Sequence, residues 1–392
     1  MTRPVRLHWF LPTSGDSRSL LGAGQGVPHD VAQSLAETAT HGFRAPTIDY
    51  LADVARTAER LGFTGVLTPT GTFCEDAWLV TAALLRETTR LRFLVAFRPG
   101  VINPVLAAQM AAAYQRISGG RLMLNVVTGA EPREQARFGD EIGAGDKDAR
   151  YRRTGEFLEV LRGTWEQAPY DHRGEFFAAE QAIIGGTPVD RPDLYFGGSS
   201  DAALRVAAEQ VDVYLTWGEP PALVAEKIER VRALAAARGR TVRFGLRIHT
   251  LSRDTHEQAW AHAQWLLDSL DPRAVEAAQS ALQESRSTGQ QRMLALHGGA
   301  TAVREAGGRI GAHDLEVSPG LWAGVGLVRG GAGTALVGSH EEVAERLGEY
   351  ADLGIEEFIL SGYPHLEEAH WFAEGVMPHL RRRGLLTAPA SS

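Results

Sequence analysis

The sequence predicts an α/β chain closed into a (β/α)8 TIM barrel with insertion loops at the C-terminal face, on three observations. Eight short β-rich apolar runs alternate with long amphipathic stretches. A helix-Gly-strand unit recurs near both ends, as Glu59-Arg60-Leu61-Gly62-Phe63-Thr64-Gly65-Val66-Leu67 and as Tyr350-Ala351-Asp352-Leu353-Gly354-Ile355-Glu356-Glu357-Phe358. The 392 residues exceed the roughly 250 to 300 at which a single core usually stops growing, a length that barrels carrying insertions reach. An open doubly wound sheet could hold several of these units, but one unit repeated at both ends favours closure.

The strand runs are, in order, Arg6 to Leu11, Gly65 to Thr68, Arg92 to Ala96, Arg121 to Val127, Leu194 to Phe196, Val213 to Thr216, Phe244 to Thr250 and Glu357 to Ser361. Between the first two lies a helix from Ile48 to Leu61, with apolar residues at Ile48, Leu51, Val54, Ala55, Ala58 and Leu61 and Gly62 as its stop. Further helices are expected over Ala202 to Gln210 and Pro221 to Arg238. Three connections, near 14–47, 129–193 and 251–354, are too long for ordinary loops. Each follows the C-terminal end of a strand, so each would decorate the catalytic face of a barrel. The third holds polar and glycine-rich stretches, and about 280–335 reads as a mobile lid. The whole of 1–392 is expected to form one barrel domain.

Composition narrows the function. The formal net charge is −8 and the arginines are scattered, which is not the footprint of a nucleic-acid binder. A single cysteine, Cys74, rules out an internal disulfide and any multi-cysteine metal site. The start of the chain has no signal-like apolar stretch and no segment approaches the roughly 20 apolar residues of a membrane span, so a cytoplasmic location is expected. No His-Glu-x-x-His or Gly-x-Ser-x-Gly occurs, which leaves metal and serine-nucleophile chemistry unsupported.

Candidate residues cluster just past the strands. Gly197-Gly198-Ser199-Ser200-Asp201 before a helix has the form of a phosphate site, because glycine admits the backbone and a helix start offers free N–H groups; the plain alternative is a helix cap. Arg247 and His249 alternate on the seventh run, so both side chains point the same way. An inward arginine is costly unless it meets an anion, or else forms a buried ion pair with a carboxylate. Ser361-Gly362-Tyr363-Pro364-His365 puts a phenol and an imidazole on the same rim. Gly330-Gly331-Ala332-Gly333-Thr334 lacks nucleotide-loop spacing and reads as a flexible loop delivering Arg329.

Six blocks of sequence resemble the bacterial luciferase-like flavin monooxygenases, and within them the two-component alkanesulfonate monooxygenases. They are Gly65 to Gly71 with Cys74-Glu75-Asp76, Ser118 to Gly129, Tyr195 to Ala203, Asp212 to Pro221, Leu321 to Thr334 and Ser361 to Ala369, spread over nearly the whole chain. The resemblance implies an oxygenase that receives reduced FMN from a separate NAD(P)H-dependent reductase, consumes O2, and converts a small organosulfonate to an aldehyde plus sulfite. It suggests Cys74, Arg247, His249, Arg329, Tyr363 and His365 as catalytic-site members. Thr70, Asn125, Thr128, Tyr151, Gly198, Ser199 and Ser200 would address FMN, and Ser14, Trp217, Arg247 and Arg329 the substrate. It also implies a homodimer or homotetramer.

The chain departs from the alkanesulfonate pattern where Leu11-Pro12-Thr13 is followed by Ser14 in place of a histidine. A smaller polar residue there would leave room for a hydroxyl-rich substrate such as the sulfosugar sulfoquinovose. An F420-dependent oxidoreductase on the same barrel and a non-catalytic flavin-binding barrel are the other readings. The joint presence of the six catalytic-site candidates argues against the last.

Overall fold

The computed structural model describes residues 4–20, 42–129, 132–297 and 310–387. All eight expected runs are strands: β1 (Arg6–Phe10), β2 (Gly65–Thr68), β3 (Arg92–Phe97), β4 (Leu122–Val126), β5 (Leu194–Gly197), β6 (Val213–Trp217), β7 (Arg243–Arg253) and β8 (Glu357–Ser361). Neighbours pair in parallel from β1 to β8, and β8 pairs with β1, so the sheet closes into a (β/α)8 barrel. The register sets Ile359 opposite Arg247 and Ser361 opposite His249.

The two-residue period of each strand sorts the core. Phe10, Leu67, Leu94, Met123, Tyr195, Leu215 and Ile359 pack within the barrel, while Trp9, Val66, Phe93 and Phe196 meet the surrounding helices. At the N-terminal end of the barrel the buried Glu357 carboxylate accepts from His8 Nε2 at 3.0 Å, Tyr195 at 2.7 Å and Arg243 at 2.7 Å. Helix Ile48–Leu61 forms as its pattern predicts, capped by Thr47 and stopped by Gly62 at φ +92°, a left-handed conformation that favours glycine.

The long connections hold more structure than their composition suggested. The 129–193 segment contains the 20-residue helix Lys147–Glu166 and a small hairpin of Tyr170–Arg173 with Ala178–Ala182. The third connection begins later than expected, because β7 runs on to Arg253. It contains helices His256–Asp268, Pro272–Gln283 and Thr288–His297, and then Ala335–Ser339, a parallel strand beside the last five residues of β7. Gly218 N donates to Arg247 O, and two residues further along β7 His249 N donates to Thr334 O, so this added strand takes over the edge that β6 leaves. Leu321–Trp322 pairs antiparallel with it. Residues 21–41 of the first long connection and 298–309 of the expected lid lie outside the described residues. Among the described residues, no helix is long and apolar enough to cross a membrane.

Candidate active site

A cavity of about 200 Å³ opens at the C-terminal ends of the strands. Asn125 to Gly129 after β4, Gly197 to Ser199 after β5, and Thr216 and Trp217 of β6 form much of its wall, with Arg150 and Tyr151 from the long helix and Arg247 from β7. Of the expected cofactor residues, Asn125, Thr128, Tyr151, Gly198 and Ser199 therefore share one cavity. Thr70 is half-buried at the end of β2 and is not part of this wall. Ser200 also stands back from it, capping helix Asp201–Gln210 by accepting from Ala203 N at 3.3 Å.

The glycine at 198 has a steric reason. A Cβ there would lie 2.6 Å from the Cβ of Ala203, so only glycine lets the turn close this tightly onto the helix start. The result brings main chain and the N-terminus of a ten-residue helix to the cavity wall, an arrangement suited to a phosphate. Arg150, which the sequence reading missed because it is one arginine among many on a helix, adds a buried cation to the same wall.

The other candidates form a buried cluster reached through Arg247. Arg247 is 8% exposed, and its guanidinium donates to Ser361 Oγ at 2.9 Å and to the carbonyls of Ile248 and Ile359 and lies 5.0 Å from the Phe10 ring centre. Burial, and then the charge of Arg329, pull its pKa down to about 9. None of its hydrogen-bond partners among the described residues is a carboxylate, so the ion-pair alternative fails. Arg329 is 3% exposed, donates to the Tyr363 hydroxyl and lies over the same ring at 5.4 Å.

His249 bridges the two halves: Nδ1 is 2.6 Å from Ser361 Oγ, Nε2 is 3.0 Å from the Ala332 carbonyl, and the ring stacks on Tyr363 at 5.4 Å. Burial, reinforced by Arg247 and Arg329, holds it well below the ordinary imidazole range. Burial likewise raises the Tyr363 phenol, against the pull of Arg329. His365 completes the cluster edge-on to Tyr363 at 5.4 Å.

Cys74 is half-buried near Thr13, and burial pushes its thiol up to about 12. It is therefore a neutral thiol, which disfavours nucleophilic chemistry. Ser14 is half-buried in the segment after β1. The loop at 330–334, read as flexible, is tied at several points here: Gln290 accepts from Gly331 N at 3.0 Å, Ala332 O bonds His249, Gly333 O accepts from Gly326 N at 2.8 Å, and Thr334 donates to Gly218 O at 2.6 Å.

Sequence reasoning also missed Asp16, Tyr50 and Arg44. Asp16 is fully buried beside His365, 349 positions away in the chain. A buried acid in a stretch classed as an insertion loop gave no periodic signal. Among the described residues no group of three or more His, Cys, Asp or Glu side chains could hold a metal.

A family model for luciferase-like monooxygenases matches residues 5–357. Solved structures agree in fold. A riboflavin lyase crystallised with modified FMN and riboflavin is 21% identical, with a TM-score of 0.75 over 100% of this chain and 94% of its own. A long-chain alkane monooxygenase is 16% identical, with a TM-score of 0.75 over 100% of this chain and 94% of its own. EDTA monooxygenase from Chelativorans sp. BNC1 is 19% identical, with a TM-score of 0.69 over 100% of this chain and 96% of its own. The chain belongs to the luciferase-like monooxygenase family.

Proposed function

We propose that this protein is an oxygenase that uses reduced FMN and O2 to desulfonate a small anionic organosulfonate. One oxygen atom goes to the aldehyde carbon and the other to water, while sulfur leaves as sulfite. The observation that carries the reading is Arg247: a buried guanidinium facing the cavity with only neutral hydrogen-bond partners among the described residues, beside a second buried arginine, Arg329. An uncompensated buried cation is costly, and a bound anion with oxygens in a plane suited to guanidinium would offset that cost.

The cavity also suits the cofactor. Its glycine turn at 197–198 and helix N-terminus would take the phosphate, and the wall from Asn125 to Thr128 with Tyr151 would take the ring and ribityl chain. Bound reduced FMN would supply the two electrons that O2 activation needs. The residues do the rest: Arg247 and Arg329 orient the sulfonate, and Trp217 with the segment Ser287 to Gly289 covers the cavity and limits water. The resemblance to two-component monooxygenases extends the reading to a separate NAD(P)H-dependent reductase.

The test is sulfite release under air with NADH, FMN and a generic flavin reductase, over methanesulfonate to octanesulfonate and sulfoquinovose. Sulfite from any member supports the reading, and sulfite from the sugar alone moves the enzyme to sulfosugars. No sulfite across the panel overturns desulfonation. Parallel titrations with reduced FMN and reduced F420 decide the cofactor. Ser199→Asp sets a negative charge against the proposed phosphate and is expected to weaken FMN at least about tenfold, or about 1.4 kcal/mol.

A further inference from the structure

The active-site cluster contains two buried histidines, and their partners distinguish them. His249 has both ring nitrogens engaged. Its Nε2 faces the Ala332 carbonyl, which can only accept, so Nε2 carries the proton and Nδ1 accepts from Ser361, whose oxygen also receives Arg247. A histidine spent in this way braces Ser361 and Arg247, and it has no free lone pair.

His365 is the reverse case. It is 0% exposed, and its Nδ1 is 2.8 Å from Asp16 Oδ1 while its backbone N–H donates to Asp16 Oδ2 at 2.8 Å. Nε2 is buried and has no hydrogen-bond partner among the described residues. The ring lies 5.3 Å from Phe10 and 5.4 Å from Tyr363, the same two rings that Arg247 and Arg329 lie over. Asp16 is itself fully buried and held on all sides. Its Oδ1 accepts from Ser17 N at 2.8 Å, Tyr50 donates to Oδ2, and its main chain exchanges two hydrogen bonds with Arg44, whose guanidinium pairs with Glu367.

We propose that Asp16 is a positioning residue that fixes His365 in the Nδ1–H tautomer, so that Nε2 is the proton acceptor of the active site. A carboxylate can only accept, so the shared proton belongs to His365 Nδ1; a neutral imidazole has one N–H, and Nε2 is left with its lone pair. A proton from a reacting oxygen would pass to Nε2. Asp16 keeps its negative charge and stabilises the resulting imidazolium without taking the proton. The usual direction of the Asp16 carboxyl supports this: burial alone would raise it, yet His365 and Tyr50 hold it below the ordinary carboxylate value. As an account of turnover the proposal rests on the oxygenase reading, whereas the tautomer itself does not.

The experiment is long-range ¹H–¹⁵N correlation NMR of ¹⁵N-histidine-labelled protein above the imidazole titration range, with the His365 signals assigned by their loss in His365→Gln. The expected result is a protonated Nδ1 and a bare Nε2 at His365, and the opposite tautomer at His249. Asp16→Asn, nearly isosteric, can donate to Nδ1 and is expected to flip His365 to Nε2–H, with kcat falling roughly 10²- to 10⁴-fold at unchanged KM. Tyr50→Phe should leave the tautomer as it is. An Nε2–H tautomer in the unmodified protein overturns the proposal with no variant needed, as does a tautomer unaltered by Asp16→Asn. Absence of sulfite from the unmodified protein would count against desulfonation and leave the NMR result to decide this point.

Discussion

On the proposed function, Arg247 sets function against folding at the scale of one residue. Its charge sits among Ser361, two carbonyls and an aromatic ring, with its pKa lowered to about 9 by burial. Arg247→Met keeps the length and removes the buried charge, so we expect thermal stability within about 1 kcal/mol of the parent, or above it. Sulfonate turnover should fall at least about 10²-fold, since an oriented charge is lost. Thermal melts and sulfite assays on one preparation check both halves, and a large loss of stability would mean that Arg247 is structural. Arg329→Ala is expected to abolish sulfite release while FMN binding stays within a few fold, because Arg329 contacts Tyr363 and lies outside the cavity wall. Residues of this kind were legible because they sit at strand ends or in glycine-rich loops, where side chains face a barrel mouth. Asp16 was not, since its role depends on a partner that only the closed fold brings near.

At the scale of elements, helix Thr288–His297 is held over the cavity by a buried charge cluster. Arg292 pairs with Glu219 at 2.5 Å, Lys227 pairs with the same carboxylate at 2.7 Å, and Lys147 donates to Thr288 at 3.1 Å. Gly289 passes so close to Trp217 that a Cβ would lie 2.9 Å from the indole. Arg292→Ala leaves the buried Glu219 paired with Lys227 through Oε1 alone and takes away the hydrogen bonds to Oε2, so global stability should drop by about 1 to 3 kcal/mol. Amide exchange across 288–297 should accelerate and KM for the sulfonate should rise. Unchanged exchange would show that Trp217 packing alone holds the helix. The eight barrel strands were readable from their apolar runs and turn signals, but Ala335–Ser339 was not. Its run is short, it follows a glycine-rich loop, and it becomes a strand only because β7 extends far enough to pair with it.

For the whole molecule, acid stability should decline in two stages. His249 is held well below the ordinary imidazole value of 6.5, chiefly by burial, so the unfolded chain takes up a proton there that the folded chain refuses. Stability is then lost as pH falls below that value. Glu357 moves the other way in mechanism and the same way in outcome. Burial would raise its pKa, but hydrogen bonds from His8 and Tyr195 with the charge of Arg243 hold it at about 2, against 4.5 unfolded. Its contribution is present above 4.5 and disappears as pH falls from 4.5 towards 2. Urea midpoints measured across this range should drop gently at first and more steeply below the carboxylate value. Glu368 opposes His249 in the imidazole range, because burial raises its carboxyl to about 7 and the folded chain gains stability there as pH falls towards 4.5; the difference between His249→Gln and the parent isolates the imidazole, and an equal pH slope in the two would contradict the neutral His249.

The strand Ala335–Ser339 also bears on how far the active site can be treated as interchangeable parts. It is a seam: one side belongs to the long connection after β7, the other to β7 itself, and Arg329 lies six residues before its first residue. The position of that arginine is thus set by sheet register, so a length change between 329 and 335 would re-aim it relative to Arg247. Transplanting a substrate-binding cassette from a relative would have to carry the seam with it, cutting after Ser339 and not within the glycine-rich loop.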